Sequence, residues 1–391
     1  MRILQVIEFL SPGMGGSATV VYQISKHLAA SGHEVWVLTS DYSPDGVQFP
    51  DEKFNIQIFK TKIALSGVYI TPGIIPWIKQ NLFSFDVVHL HNLRTFQNLL
   101  IDVFTMTKKP TLFLSAHGSL PLHSPKVAAK KIFDWLCTRR LLRKVNCVLA
   151  VSPIEVTQYL NAGISYNRIC MVYNGLNMDE FKTMSPPGQF RLQLGIPDNA
   201  LIILYLGRIH SIKGIDHLIS AFAQLRKSRM DLRLIIAGPD DGDLKRLMLL
   251  SQQTGLSSYI YFPGGLYGDQ KLSALADADV VVLPSSYEIF GLTAFEALAC
   301  GTPVVVSANS GSGQLISQAG AGYLISHGDI QQLASTIGQA LNNQLLSKNK
   351  VLAGQAFIRA NLQWPVLVRQ IESIYTNHLS PSAISHNKAQ K

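Results

Sequence analysis

Two successive series of apolar runs, separated by amphipathic stretches, organise this chain. The first comprises Ile3–Ile7, Glu34–Thr39, Val87–Leu90, Thr111–Ser115, Cys147–Val151 and Ile169–Tyr173, with helical periodicity between several of them, as over Val20–Ala30. The second follows Met184-Ser185-Pro186-Pro187-Gly188 and comprises Leu201–Leu206, Leu232–Ala237, Ile260–Phe262, Val280–Leu283, Pro303–Ser307 and Gly322–Ile325. Short β-branched runs without polar alternation are what strands covered on both faces require, and the stretches between them supply the covering helices. The pattern predicts an α/β chain of two doubly wound, Rossmann-like domains with parallel sheets, one over 1–183 and one over 184–363, hinged at Pro-Pro-Gly. Ligands of such sheets sit at the carboxyl ends of the strands, so a shared central cleft is expected. A last helix follows Trp364-Pro365 within 364–378, and the polar tail 379–391 is expected to be disordered.

Composition narrows the class. The 391 residues are 47% hydrophobic and only 15% charged, too apolar for whole-chain disorder. No apolar run approaches the roughly 18 residues of a membrane span. The opening Met1–Glu8 is too short and too polar for a signal peptide, so a cytoplasmic protein is expected. Cys137, Cys147, Cys170 and Cys300 lack metal or disulfide-framework spacing and suit buried small hydrophobes.

The formal charge of +9 is concentrated rather than spread. Between Lys108 and Lys144 stand nine bases and one acid, Asp134, for a local net of +8. Ile132, Phe133, Trp135, Leu136, Leu141 and Leu142 interleave with the bases over 126–144. That pattern suits an anionic membrane surface, and equally an ordinary surface helix whose apolar stripe packs on its own domain. No nucleic-acid-binding motif accompanies it, so nucleic acid is not an expected partner.

Four motifs carry candidate chemistry. Gly13-Met14-Gly15-Gly16-Ser17-Ala18 nearly matches a dinucleotide fingerprint, but Glu8 to Pro12 separates it from the preceding strand. Its glycines and helix start could instead approach a phosphate, or form a plain turn. Gly207-Arg208 with Lys213-Gly214 lies in a strand-to-helix loop, where a fork of donors and a point charge could neutralise a diphosphate. In Ser285–Pro303, Glu288 is placed in a loop and Glu296 inside a helix starting near Leu292, which aims the amides of Phe290, Gly291 and Leu292 outward. His117-Gly118 follows a strand of the first domain and is weak by itself.

Together with Asn174-Gly175-Leu176-Asn177, Phe181 and Trp364, these residues resemble the retaining glycosyltransferases of family 4, which have the GT-B fold. The resemblance runs over nearly the whole chain. It implies that the C-terminal helix crosses back to the first domain, which is the acceptor side, and that the second domain binds the nucleotide sugar. Arg208 and Lys213 are implied for the donor diphosphate, Glu296 for the ribose, and Glu288 with the amides of Phe290 to Leu292 for the donor sugar. Gly15 and Gly16 would approach the distal phosphate and His117 a hydroxyl of the transferred sugar, so that His117 and Glu288 are the catalytic candidates. No metal and no cofactor are implied. Gln314 stands where many members have Glu, which weakens any charged role there.

The expected function is transfer of a hexose or N-acetylhexosamine from a nucleotide-diphosphate sugar, UDP before GDP, to a lipid-linked, surface-polysaccharide or lipopolysaccharide acceptor. The enzyme would be cytoplasmic and peripheral on the inner face of the plasma membrane. The alternatives are a nucleotide-sugar epimerase of the same build, an NAD-dependent oxidoreductase, and a non-catalytic sugar-nucleotide-binding protein.

Overall fold

The computed structural model describes residues 1–11, 16–43, 53–65, 68–105, 110–121, 134–182 and 187–379. The tail from residue 380, Gly13 to Gly15 and much of the basic stretch therefore lie outside the described residues. Two units separate by their internal contacts: Met1–Gly175 with Trp364–Lys391, and Leu176–Gln363.

The first unit holds β1 (Arg2–Phe9), β2 (Glu34–Ser40), β3 (Asn55–Phe59), β4 (Ile63–Leu65), β5 (Val68–Ile70), β6 (Val87–His91), β7 (Thr111–Ser115), β8 (Cys147–Ala150) and β9 (Ile169–Met171). Seven of these form one sheet in the order β3-β2-β1-β6-β7-β8-β9, parallel throughout, while β4 and β5 form a separate antiparallel hairpin. The apolar pattern does not announce β3 or the hairpin. Their side chains are largely half-exposed or exposed, Ile58 and Ile63 among them, so no core face imposes a signal.

The second unit holds β10 (Leu201–Leu206), β11 (Leu232–Ala237), β12 (Ile260–Gly264), β13 (Val280–Leu283), β14 (Val304–Ser307) and β15 (Tyr323–Ile325). Their order is β12-β11-β10-β13-β14-β15, again all parallel. Every residue of β13 and β14 is buried, which is why both read as unbroken apolar runs. Strand order reverses direction between β1 and β6 in one unit and between β10 and β13 in the other. These are the points where ligands of doubly wound sheets bind.

The chain leaves the first unit after Gly175, not at Pro-Pro-Gly as the sequence suggests. Leu176 bridges Gln363, and its N–H donates to Leu362 O at 2.7 Å, so the outgoing and returning segments run side by side. Gly175 is required there, since a Cβ would stand 2.5 Å from the Trp364 indole. Gly188, by contrast, belongs inside the second unit, where its N–H is held by the Asp277 carboxylate. Helix Trp364–His378 crosses back as expected: Trp364, Leu367, Val368, Ile371 and Tyr375 pack into the core of the first unit with Ile3, Val21 and Phe113.

Candidate functional site

In the second unit, the loop after β10 runs through Arg208 to a short turn at Ser211–Lys213, and the loop after β13 runs from Pro284 to Gly291. Ser286 N and Oγ both donate to Ile212 O, at 2.8 and 2.9 Å, which knits the two loops together. Within this frame Lys213 Nζ donates to Glu288 Oε2 at 2.7 Å. Lys213 is 8% exposed, so its ammonium reaches Glu288 from a buried stem. Arg208 does stand exposed and pairs with Asp241 at 2.5 Å.

The Glu288 loop is fixed by its own backbone. Gly311 N donates to Glu288 O at 2.7 Å, and Gly291 takes a left-handed φ of 74° where a Cβ would lie 2.7 Å from Ser312 Oγ. Gly291 caps helix Leu292–Cys300, so the first helical amides fall beside Glu288 at the positive end of the helix dipole. Glu296 lies inside that helix, as its spacing predicts. Its Oε1 receives Lys271 Nζ at 2.8 Å. Burial pulls the Lys271 pKa down, but the Glu296 carboxylate outweighs it and holds the lysine pKa above its ordinary value. Lys271 has no sequence signature, because only the packing of helix Gly268–Asp277 against Leu292–Cys300 brings it to Glu296.

Two Asp-x-Asp triplets occur in this unit, and their carboxylates are engaged. Asp241 receives Arg208 and Asp243 receives Arg246, while Asp277 accepts Gly188 N and Arg191 N and Asp279 accepts Ile202 N. Among the described residues no three His, Cys, Asp or Glu side chains form a metal-holding group. A cavity of about 640 Å³ lies by Leu201, Asp231 and Pro303 at the amino ends of the strands, and neither Lys213 nor Glu288 lines it.

The first unit contains a buried polar chain that sequence reasoning largely missed. His91 Nε2 lies 2.7 Å from Gln5 Oε1, and His91 Nδ1 lies 2.9 Å from His117 Nε2. The amide oxygen only accepts, so His91 carries its proton on Nε2 and accepts at Nδ1 from His117 Nε2–H. His117 Nδ1 is left with a bare lone pair. On the other side, Gln5 Nε2 donates to Tyr375 OH, which donates to His89 Nδ1 at 2.7 Å, and His89 Nε2 donates to Ser115 Oγ at 2.9 Å. Burial holds all three imidazoles neutral: His117 falls to about 4, His89 to about 3 and His91 well below its ordinary value. His89 and His91 sit two apart on β6, so period-2 reading places them on one face. The link to Tyr375 could not be read that way.

Strain marks the same end of the sheet. Asn92 and His117 are the non-glycine residues with positive φ among the described residues, 57° and 49°. The turn after His117 is held by buried Glu155, which accepts Gly118 N at 2.7 Å and Val151 N at 2.8 Å. Gly16 opens helix Gly16–Ala30, and a Cβ there would meet nothing within 4 Å; Gly15 is outside the described residues. Gln314 is exposed on helix Gly311–Ala319.

In the basic stretch, Leu141 and Leu142 are buried in the core, and Arg140 and Lys144 bond to Asp102. That part of the stretch is therefore a surface helix packed on its own unit. Lys126, Lys130, Lys131, Ile132 and Phe133 lie outside the described residues, as do the side chains of Trp135 and Leu136. No described helix is long and apolar enough to cross a membrane.

Comparison with known proteins gives the family and the fold. Residues 188–357 match the family model for glycosyl transferases group 1, and residues 14–180 match that for glycosyltransferase family 4. An uncharacterized glycosyltransferase of Methanocaldococcus jannaschii is 30% identical, covering 96% of this chain and 98% of that one. The D-inositol 3-phosphate glycosyltransferase of Corynebacterium aurimucosum is 26% identical over 97% of both. The Anabaena HepE structure in complex with UDP and glucose superposes with a TM-score of 0.78 at 20% identity, covering 96% of this chain and all of that one.

Proposed function

The chain belongs to the family 4 glycosyltransferases, and on that footing we propose that it transfers a hexose or N-acetylhexosamine, with retention, from UDP-sugar to a lipid-linked or surface-polysaccharide acceptor. The observation that carries the reading is the Lys213–Glu288 pair at the β10–β13 switch point. Lys213 donates one of its three ammonium N–H bonds to Glu288 and keeps two for diphosphate oxygens, while Arg208 stands on the same loop. Breaking the anomeric bond makes an oxocarbenium-like sugar and an anionic leaving group, so fixed cations and helix amides at the diphosphate lower the barrier most. Glu288 anchors the donor sugar and Glu296, steadied by Lys271, the ribose. His117 offers its Nδ1 lone pair to a sugar hydroxyl. The leaving phosphate itself takes the acceptor proton, so no divalent ion enters the reading.

UDP is preferred because the superposed HepE holds UDP and glucose. Mass-spectrometric detection of nucleotide released from UDP- and GDP-sugars, with a membrane-lipid extract as acceptor source, tests the whole reading. Glycolipid product with UDP release supports it, whereas an isomerised nucleotide sugar without transfer would make the chain an epimerase. We further propose peripheral attachment to anionic membrane through 126–144, with the bases ahead of the packed Arg139–Lys144 helix as the lipid contact. Sedimentation with anionic but not neutral liposomes, lost at high salt, is the expected result; no binding to either would leave only the surface-helix role.

A further inference from the structure

Glu8, near the end of β1, is 8% exposed, yet both of its carboxylate oxygens share one side-chain donor, Asn92 Nδ2 at 2.9 and 3.0 Å. A carboxylate can accept about four hydrogen bonds, and no cation pairs with this one among the described residues. Its donor is held in place at some strain. Asn92 has a left-handed φ of 57°, its N–H donates to Ser115 O at 2.9 Å, and its carbonyl accepts Asn98 Nδ2 at 2.9 Å. Tyr69 is near enough to feel the Glu8 charge; its ring lies 4.2 Å from that of Tyr42 and meets Phe9 edge-on at 6.0 Å. An under-bonded carboxylate next to aromatic faces, at the β1–β6 switch point, has the makings of a site for a molecule that is apolar on its ring face and rich in hydroxyls at its edge.

We propose that Glu8 is an acceptor-recognition residue whose carboxylate receives a hydroxyl of a neutral, polyhydroxylated acceptor at the carboxyl end of the first sheet. The proposal rests on the glycosyltransferase reading, which requires a hydroxyl nucleophile. An anionic group is disfavoured at this spot by like charge. Burial raises the Glu8 pKa to about 7, with Asn92 and its own backbone amide pulling it partly back. The ionised form is the better acceptor, so affinity for such a hydroxyl is present above about 7 and is lost as pH falls through it. Among the described residues, the titratable groups on this side of Glu8 are Tyr69 and, stacked on it, Tyr42. Burial, then Tyr42 and Glu8, push the Tyr69 pKa to about 12, so it stays neutral in this range.

The test uses the full chain at saturating UDP-glucose, with methyl α-D-glucopyranoside, methyl α-D-mannopyranoside and myo-inositol as acceptor probes. In the wild type a probe should stimulate UDP release, with its KM rising as pH falls below about 7. In Glu8→Gln that KM should rise roughly tenfold or more at high pH, as expected when a charged acceptor is replaced, and its pH dependence should flatten. The Kd for UDP, set by the second unit, should stay unchanged, and a circular dichroism spectrum and urea midpoint like the wild type's show that the first unit of the variant is folded. An unchanged KM and pH profile in Glu8→Gln overturns the proposal, as does failure of every probe with a wild type that binds UDP. A wild type that does not bind UDP counts instead against the glycosyltransferase reading beneath it.

Discussion

Lys213 and Glu288 stand 75 residues apart in sequence and meet at 2.7 Å, each delivered by the loop after one of the two strands that flank the second sheet's switch point. The lysine is buried to its ammonium and the glutamate is only partly exposed, with side chains 11% and 28% accessible. A pair so placed is poised for ligand charge rather than for surface solvation, since a cation held in a partly dry site acts more strongly on a leaving group than one in water.

Removing that cation should be costly. Lys213→Ala is expected to lower kcat by about 10²–10³-fold, the range seen for loss of one preorganised charge-stabilising group. Arg208→Ala, at an exposed position, should cost less but remain well below wild type. Steady-state kinetics at saturating donor, with circular dichroism to confirm folding, checks both; near-wild-type turnover in the two variants would remove the diphosphate assignment.

The two carboxylates should separate by the part of the donor they hold. Glu296→Gln keeps the shape but weakens the hold of Lys271, so it should chiefly raise the donor KM, whereas Glu288→Ala should lower kcat. Calorimetry with UDP alone discriminates. Affinity should fall in the Glu296 variant and change little in the Glu288 variant, and equal losses in both contradict the split.

His117 should matter for transfer and not for nucleotide. His117→Ala is expected to reduce transfer by roughly a hundredfold, comparable to losing one positioned polar group, with the UDP Kd essentially unchanged. His91→Phe should act in the same direction, because it removes the acceptor that keeps the His117 proton on Nε2. A large loss of UDP affinity in either variant would show that His117 serves the other end of the donor.

Acid should reveal opposed titrations in the first unit. Unfolded histidines take up protons near 6.5, but folded His117 only near 4 and His89 near 3, so these groups lose stability as pH falls below about 6.5. Burial raises Glu8 and Glu155 to about 7, so the native chain binds protons between about 7 and 4.5 that the unfolded chain does not, which adds stability on acidification. The Glu8→Gln/Glu155→Gln double variant should therefore lose stability more steeply than wild type between about pH 7 and 5. Urea midpoints across that range check the sign, and parallel slopes would refute it.

The alternation of apolar runs and amphipathic stretches determined two parallel α/β sheets, because strands covered on both faces must be apolar at every position and their helices on one stripe. Local chemistry placed Glu288 in a loop and Glu296 in a helix, since Gly291 and Gly301 punctuate the chain within a few residues of each. What the sequence by itself did not decide is every relationship made across the sheets. Lys271 with Glu296, Asn92 with Glu8, and Tyr375 with His89 join residues 25, 84 and 286 apart, and no period of 2 or 3.6 spans such distances. Strand order and the returning C-terminal helix decided these, and with them which carboxylates have a cation, which have one amide, and which nitrogen of His117 is bare. Side-chain pattern records how each element meets the core, whereas the site depends on which elements become neighbours, and that is settled only when the chain closes on itself.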